Sequence, residues 1–530
     1  MRIIVSCAIY VNSSAAAIAL LKRTHKLRSS FSVRFYAWKS DMTGNKGNST
    51  GKKAISRRLT LKSIGAVGAA ALWPSKTSNA MQAPLKDKDF STAGRRTIYE
   101  KVCRTPFIDT HEHLPDESQR LAGVPAARVG ANDWSVVLGH YLNCDMIAAG
   151  MPLKQYNKFF SKDTDPVEKW KLLEPYWPAV KNTGYGQAVR IALKQLYDVD
   201  ELSSKTVQKV QSGYEQLCRP GFYKYILCDL ANIESCQVNC VTGSAFRKSD
   251  QPTFLMQDLS VLGMLSGGGD IKTFAGETGI EVTCLSDWHK VIDWWFDKYG
   301  QYAVAVKSQH AYRRDIDHEK VPAEQVEMTF KKKLAGETLS ASELKLLEDH
   351  LFWYVVRKAT KMNLPVKLHT GYYTGNSRMP LSRLVKNCGS ATQLCLDAPQ
   401  ARFVFMHISY PYYEPLIAAA KHYPNAYIDM CWSWIINPAA AKDFLKKYIV
   451  TAPLNKILTF GGDYIPVEPV LGHAVIARKG IALALSELVE EGWLSLDDAL
   501  ETIEPVMNGN ARQIFNLSEK EKILKKAPWA

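Results

Sequence analysis

Four histidines, one aspartate and one lysine carry the chemistry that can be read directly from this chain. The run Phe107-Ile108-Asp109-Thr110-His111-Glu112-His113 sets two imidazoles two residues apart. On an extended backbone such residues project to the same side, so His111 and His113 can converge on one ion. A pair of this kind is common by itself. It gains meaning from three further residues that close or follow apolar runs: His369 after Leu364-Pro-Val-Lys-Leu, His407 after Phe403-Val-Phe-Met, and Asp463 after Ile457-Leu-Thr-Phe-Gly-Gly. Imidazoles with one carboxylate suit a divalent cation, and zinc is the expected ion. Lys307 closes another such run, Tyr302-Ala-Val-Ala-Val. A buried lysine is costly unless paired or modified, which points to a role for it at the same site.

These residues must be positioned by the elements they end. Candidate strands are Thr105–Asp109, Cys236–Val241, Thr253–Gln257, Tyr302–Lys307, Pro365–His369, Arg402–His407, Ala426–Met430 and Ile457–Phe460. Several are continuous apolar runs, as parallel strands buried on both faces should be. Helical patterns separate them, among them Ala341–Lys361, Pro415–His422 and Ala474–Glu490. The alternation predicts an α/β fold, a (β/α)8 TIM barrel, in which polar residues at strand ends line the active mouth. A helical insertion at about 114–235 follows the first strand and reads as a lid, with helices at Pro166–Leu173 and Gly186–Leu196; a charged helical extension at about 308–363 follows the fourth.

Length and charge bound the rest. The chain has 530 residues, 46% hydrophobic and 22% charged, enough for a sizeable core. Its net charge of +15 invites a nucleic-acid reading, but residues 1–80 hold nearly all of that excess and residues 81–530 are close to neutral. No phosphate-tracking stripe is expected in the body, and no nucleic-acid partner. Residues 1–80 read as an export leader. Arg57-Arg58 precede the apolar run Ser63–Trp73 and the small-residue exit Ser78-Asn79-Ala80, and the arginine pair resembles a twin-arginine signal although Thr60 departs from that pattern. The residues before Met42 are either a mis-assigned start or a membrane anchor. This reading places residues 81–530 in the periplasm or cell envelope, with the export machinery as a partner. The eleven cysteines are irregularly spaced, which argues against a disulfide framework; Cys236, Cys240 and Cys431 read as core residues.

Taken together, the HxH pair, His369, His407 and the late Gly-Gly-Asp resemble the amidohydrolase superfamily, in particular its amidohydrolase-related group, over about residues 105–517. That group also includes decarboxylases and, more remotely, uronate isomerases. The resemblance implies that His111, His113, His369 and Asp463 contact the metal and that His407 either binds a second ion or polarises the substrate. Lys307 stands where binuclear members carry a carboxylated lysine; the alternative is a free cation facing the substrate. One ion is preferred, two the alternative. Catalysis is assigned to Asp463 and His407, and substrate contact to Arg313, Tyr372, Tyr410 and Trp432, with Arg314 and Arg378 as weaker candidates. The leading expectation is hydrolysis of a small amide, ester or lactone by metal-activated water, with Asp463 moving the proton. Non-oxidative decarboxylation of an aromatic acid and isomerisation of a uronate are the enzymatic alternatives, and an exported binding protein without activity is the alternative from another class. A small molecule is the expected partner, and a homo-oligomer is compatible with all of these.

Overall fold

The apolar runs pair as parallel strands. The computed structural model describes residues 88–530 apart from 125–129, 242–243, 266–270 and 377–378, so the leader and Arg378 lie outside the described residues. Among those described, one sheet holds β1 (Phe107–Glu112), β2 (Ile233–Val238) and β3 (Leu255–Gln257). A second holds β4 (Leu259–Ser260), β5 (Val306–Ser308), β6 (Val366–His369), β7 (Phe403–Met406), β8 (Ala426–Asp429) and β9 (Ile457–Leu458). All pairings are parallel and between neighbours in sequence.

The two sheets are one ring. β3 and β4 are a single run that changes partners at Asp258: the Asp258 N–H donates to Val238 O beside β2, while the next N–H, of Leu259, donates to Ala305 O beside β5. At the other seam Thr110 N–H donates to Phe460 O (3.0 Å), Asp463 N–H to His111 O (2.8 Å) and His113 N–H to Tyr464 O (2.9 Å). The result is the (β/α)8 barrel expected from the sequence, with no open edge.

Several strand limits differ from expectation: β2 runs Ile233–Val238 rather than Cys236–Val241, because its first residue pairs with Phe107 of β1, and two further shifts have physical reasons of their own. β1 starts at Phe107 and continues through Glu112, because the polar residues 109–112 stay buried and hydrogen-bonded on both sides. β5 starts only at Val306: the helix Leu285–Tyr299 has not fully unwound before it, and Ala303 N–H still turns back to Tyr299 O.

The barrel interior is plugged at its N-terminal end. Ile108, Met256, Val404 and Leu458 pack there against Phe515 and Leu517 from the C-terminal helices. Above this layer sits Lys367, fully buried, with its Nζ 4.8 Å from the Phe515 ring centre. Nζ donates to both Asp258 oxygens (2.9 and 3.0 Å), to Gln237 Oε1 (2.6 Å) and to Thr110 O (2.8 Å).

The insertion after β1 is helical, as expected, and ends at Asn232, where β2 begins. Its helix Gly184–Tyr197 packs on Glu468–Glu490, the helix that follows β9. The crossing is close because of Gly472, where a Cβ would stand 1.9 Å from Ala188 O. The extension after β5 holds a short turn, His310–Tyr312, and the helices Ala323–Leu334 and Ala341–Lys361, the second started by a Ser340/Glu343 capping box. Among the described residues no helix is long and apolar enough to cross a membrane.

Candidate metal centre

At the C-terminal end of the strands lies a cavity of about 900 Å³. Its floor is His111, His113, Lys307, His369, His407 and Asp463, so the six residues singled out by type and strand-end position all face one space. The insertion adds His140, Tyr141 and Asn143 to the wall, and the extension adds Gln309, Tyr312 and Arg313.

His111, His113 and Asp463 converge most closely. Asp463 Oδ1 is 3.3 Å from His111 Nε2 and 3.2 Å from His113 Nε2. The backbone sets this up. Asp109 Oδ1 accepts the N–H groups of both His111 (3.1 Å) and Gly462 (3.2 Å), which ties β1 to the Gly-Gly-Asp turn. Asp463 takes a positive φ of 61°, and its carbonyl accepts the Tyr141 hydroxyl at 2.5 Å, a brace from the insertion. His113 Nδ1 pairs with Asn239 O at 2.8 Å; a carbonyl only accepts, so Nδ1 carries a proton, and Nε2 is the nitrogen turned to Asp463.

The electrostatics favour a cation. Burial lowers the His111 imidazole, and nearby Lys307 adds to this, so the ring is neutral. Burial alone would raise the Asp463 carboxyl, but contacts with His111 and His113 outweigh it and hold the group well below the usual carboxylate range. Two imidazoles and a carboxylate are a donor set for a divalent ion. His111 supplies the test of fit: both its ring nitrogens are buried without a hydrogen-bond partner, and its nearest acid besides Asp463 is Asp258, whose Oδ2 is 3.8 Å from Nδ1. Buried polar atoms are normally satisfied, so the missing partner is what a bound ion would provide.

The other candidates are placed differently. His369 stands beside His407, its ring centre 4.4 Å away, and its Nε2 is engaged by Tyr372 O at 2.9 Å. Ligation through that nitrogen would first have to break this contact. Burial lowers the His407 imidazole to about 3. The Lys307 amine reaches Met406 Sδ at 2.9 Å, and burial lowers it to about 8. Arg313 is exposed on the cavity rim, while Arg314 turns away to Asp317 and Asp349.

The three aromatic residues expected at the substrate need correction, since none lines the cavity. Trp432 is fully buried, stacked on Tyr141 (4.7 Å) and edge-on to His407 (5.3 Å), so it supports the wall from behind. Tyr372 packs on Trp432 at 6.0 Å, and the Tyr410 hydroxyl accepts from Asn437 at 3.3 Å. Their places after strand ends in the sequence do not reveal that the loops fold back over the barrel wall. Conversely, His140, Tyr141 and Tyr312 were not singled out. His140 and Tyr141 sit in the turn before Leu142–Ala148 and Tyr312 in the short turn after β5, where no strand end marks them, and only the folding of the insertion and extension over the mouth brings them in.

Comparison with known proteins agrees with this architecture. Residues 301–517 match the family model described as amidohydrolase. The chain is 22% identical over 475 residues to a uronate isomerase of Cutibacterium acnes, covering 82% of this chain and 97% of that protein. It is also 25% identical over 165 residues to the protein fluG of Emericella nidulans, a match spanning 31% of this chain and only 18% of that protein. The crystal structure of a uronate isomerase from Thermotoga maritima superposes with a TM-score of 0.67 at 14% identity, over 81% of this chain and 98% of the other. A closed barrel with imidazoles and an aspartate at its mouth defines the class, a metal-site barrel enzyme. Within that class the likeness to the amidohydrolase family model covers residues 301–517, the half of the barrel that carries Lys307, His369, His407 and Asp463.

Proposed function

We propose that the chain isomerises a sugar acid, interconverting the aldose and ketose forms of a hexuronate. The observation that carries this is the likeness to a uronate isomerase over 82% of this chain and 97% of that protein, at 22% identity over 475 residues. This favours isomerisation over the hydrolysis that the strand-end residues and the family resemblance first suggested, because ligands and fold alone do not choose between reactions.

The cavity suits the task. At about 900 Å³ it has room for a six-carbon sugar acid, and its lining is rich in hydrogen-bonding groups. Arg313 at the rim is positioned to hold the substrate carboxylate, leaving the carbonyl end over His111, His113 and Asp463. A divalent ion held by those three residues would polarise the carbonyl and hydroxyl oxygens at C1 and C2. Asp463, held ionised, accepts the O2 hydroxyl proton and returns it to O1. The reaction also needs one proton moved from C2 to C1, and Lys307, whose amine burial sets near 8, stands in the same floor to carry it. His407 donates through Nδ1 to Cys431 O at 3.0 Å, which leaves its Nε2 unprotonated at the same floor.

The test is incubation of the zinc-loaded protein with D-glucuronate and D-galacturonate, followed by NMR for the ketose products. Deuterium from solvent should appear at the carbon that receives the proton. Absence of any ketose from either acid, together with cleavage of lactones or esters by the same preparation, would refute isomerisation and restore hydrolysis.

A further inference from the structure

Cys431 is the buried group at the barrel mouth that the reading above leaves unused. We infer that His407, Cys431 and Asp463 form a second metal seat, one that binds a thiophilic divalent ion such as zinc, cobalt or cadmium and shares Asp463 with the His111–His113 seat. The inference does not depend on which substrate the enzyme takes.

The geometry is the argument. One donor atom each from His407, Cys431 and Asp463 lies within 4.8 Å of the others, and all three residues are buried. His111, His113 and Asp463 meet the same condition. Asp463 therefore belongs to both groups, and a carboxylate has two oxygens to offer. Oδ1 is the one near His111 and His113; among the described residues no hydrogen bond or ion pair engages Oδ2.

The Cys431 backbone prepares the seat that its side chain completes. Its carbonyl accepts from His407 Nδ1 at 3.0 Å, which fixes the proton there and leaves Nε2 free to ligate. Its own N–H is held by Asp429 Oδ1 at 2.8 Å, and the following N–H, of Trp432, by Gly461 O at 2.9 Å. Gly461 makes the space: a Cβ there would meet Cys431 Sγ and Thr110 Oγ1, each at 2.9 Å. Thus the glycine before Gly462-Asp463 gives the thiol room beside the aspartate.

A thiolate, an imidazole and a carboxylate select borderline and soft ions over magnesium or calcium. Binding exchanges the Cys431 S–H bond for a sulfur–metal bond, and the proton leaves to solvent through the cavity. Two ions joined by Asp463 need no modified Lys307. This departs from the single ion preferred on the sequence, since that reading took Cys431 as a core residue.

Cobalt titration of the metal-stripped full chain tests this. Two equivalents should bind, the second bringing thiolate-to-metal charge-transfer absorption in the near ultraviolet. Cys431→Ser should abolish that band and weaken the second equivalent at least tenfold, whereas His111→Ala with His113→Ala should remove the other equivalent and keep the band. X-ray absorption of the zinc-loaded wild type should show a sulfur neighbour at about 2.3 Å, and this measurement decides the matter even if Cys431→Ser does not fold. One equivalent without charge transfer, a band that survives Cys431→Ser, or zinc without a sulfur neighbour would each overturn the assignment. Metal content and spectra are read without substrate, so failure here and failure of the isomerase reading are separate results.

Discussion

Replacing Lys367 by methionine removes a cation from the polar layer that separates the barrel plug from the metal centre. The ammonium is fully buried and donates to both Asp258 oxygens, Gln237 Oε1 and Thr110 O at 2.6–3.0 Å. Methionine keeps most of the volume but none of the donors, so a carboxylate and two neutral acceptors are stranded out of reach of water. Deleting one partner of a buried pair in this way costs roughly 3–5 kcal/mol. The loss should persist at high salt, because a pair fully removed from solvent is poorly screened. Adding Asp258→Asn removes the stranded charge and should return about half of the loss or more. Urea unfolding of the metal-free proteins, followed by tryptophan fluorescence, measures each difference. Zinc affinity should fall as well, since Asp258 Oδ2 stands 3.8 Å from His111 Nδ1 and would no longer be anchored. The reasoning fails if Lys367→Met lies within about 1 kcal/mol of wild type, if the loss disappears in salt, or if the double variant is less stable than the single one.

His111→Ala with His113→Ala should strip metal bound at the first seat while the circular dichroism of the barrel is retained, because the core packs without the ion; unchanged zinc by elemental analysis would place the ligands elsewhere. Arg313→Ala should raise KM for a uronate about tenfold, the equivalent of ~1.4 kcal/mol, with kcat little changed; a fall in kcat at constant KM would assign Arg313 to the chemical step instead. Acid should lower the stability of the fold. Burial lowers His318 and His289 to about 4, whereas an unfolded imidazole titrates near 6.5, so the unfolded state binds more protons between those values and stability falls as pH drops from about 6.5 towards 4. Urea unfolding should give a lower stability at pH 5 than at pH 7, and equal stability at the two would count against this account.

The chain's local pattern was enough to place the eight barrel positions and most of the polar residues at their ends. A parallel strand buried on both faces is a continuous apolar run, and the residue that breaks the run at the C-terminal end is exposed to the mouth; His369, His407 and Lys307 are legible for this reason. Helix Ala341–Lys361 was legible at both ends because a capping box and a long amphipathic pattern are local signals. Strand limits were less so, since hydrogen bonds to neighbouring strands carry β1 through four polar residues that no local rule would keep in a strand. What remained hidden depends on contacts between distant segments. Tyr141 braces Asp463 across 322 positions, and Lys367 meets Asp258 across 109. Cys431 looks like any small core residue until the turn at Gly461 sets its sulfur beside Asp463. Residue type and strand-end position are written locally and determined which groups could do chemistry. Which of them share a space, which ring nitrogen keeps its lone pair and which aromatic faces substrate were decided only when barrel closure and the folded insertion fixed distances that sequence separation does not encode.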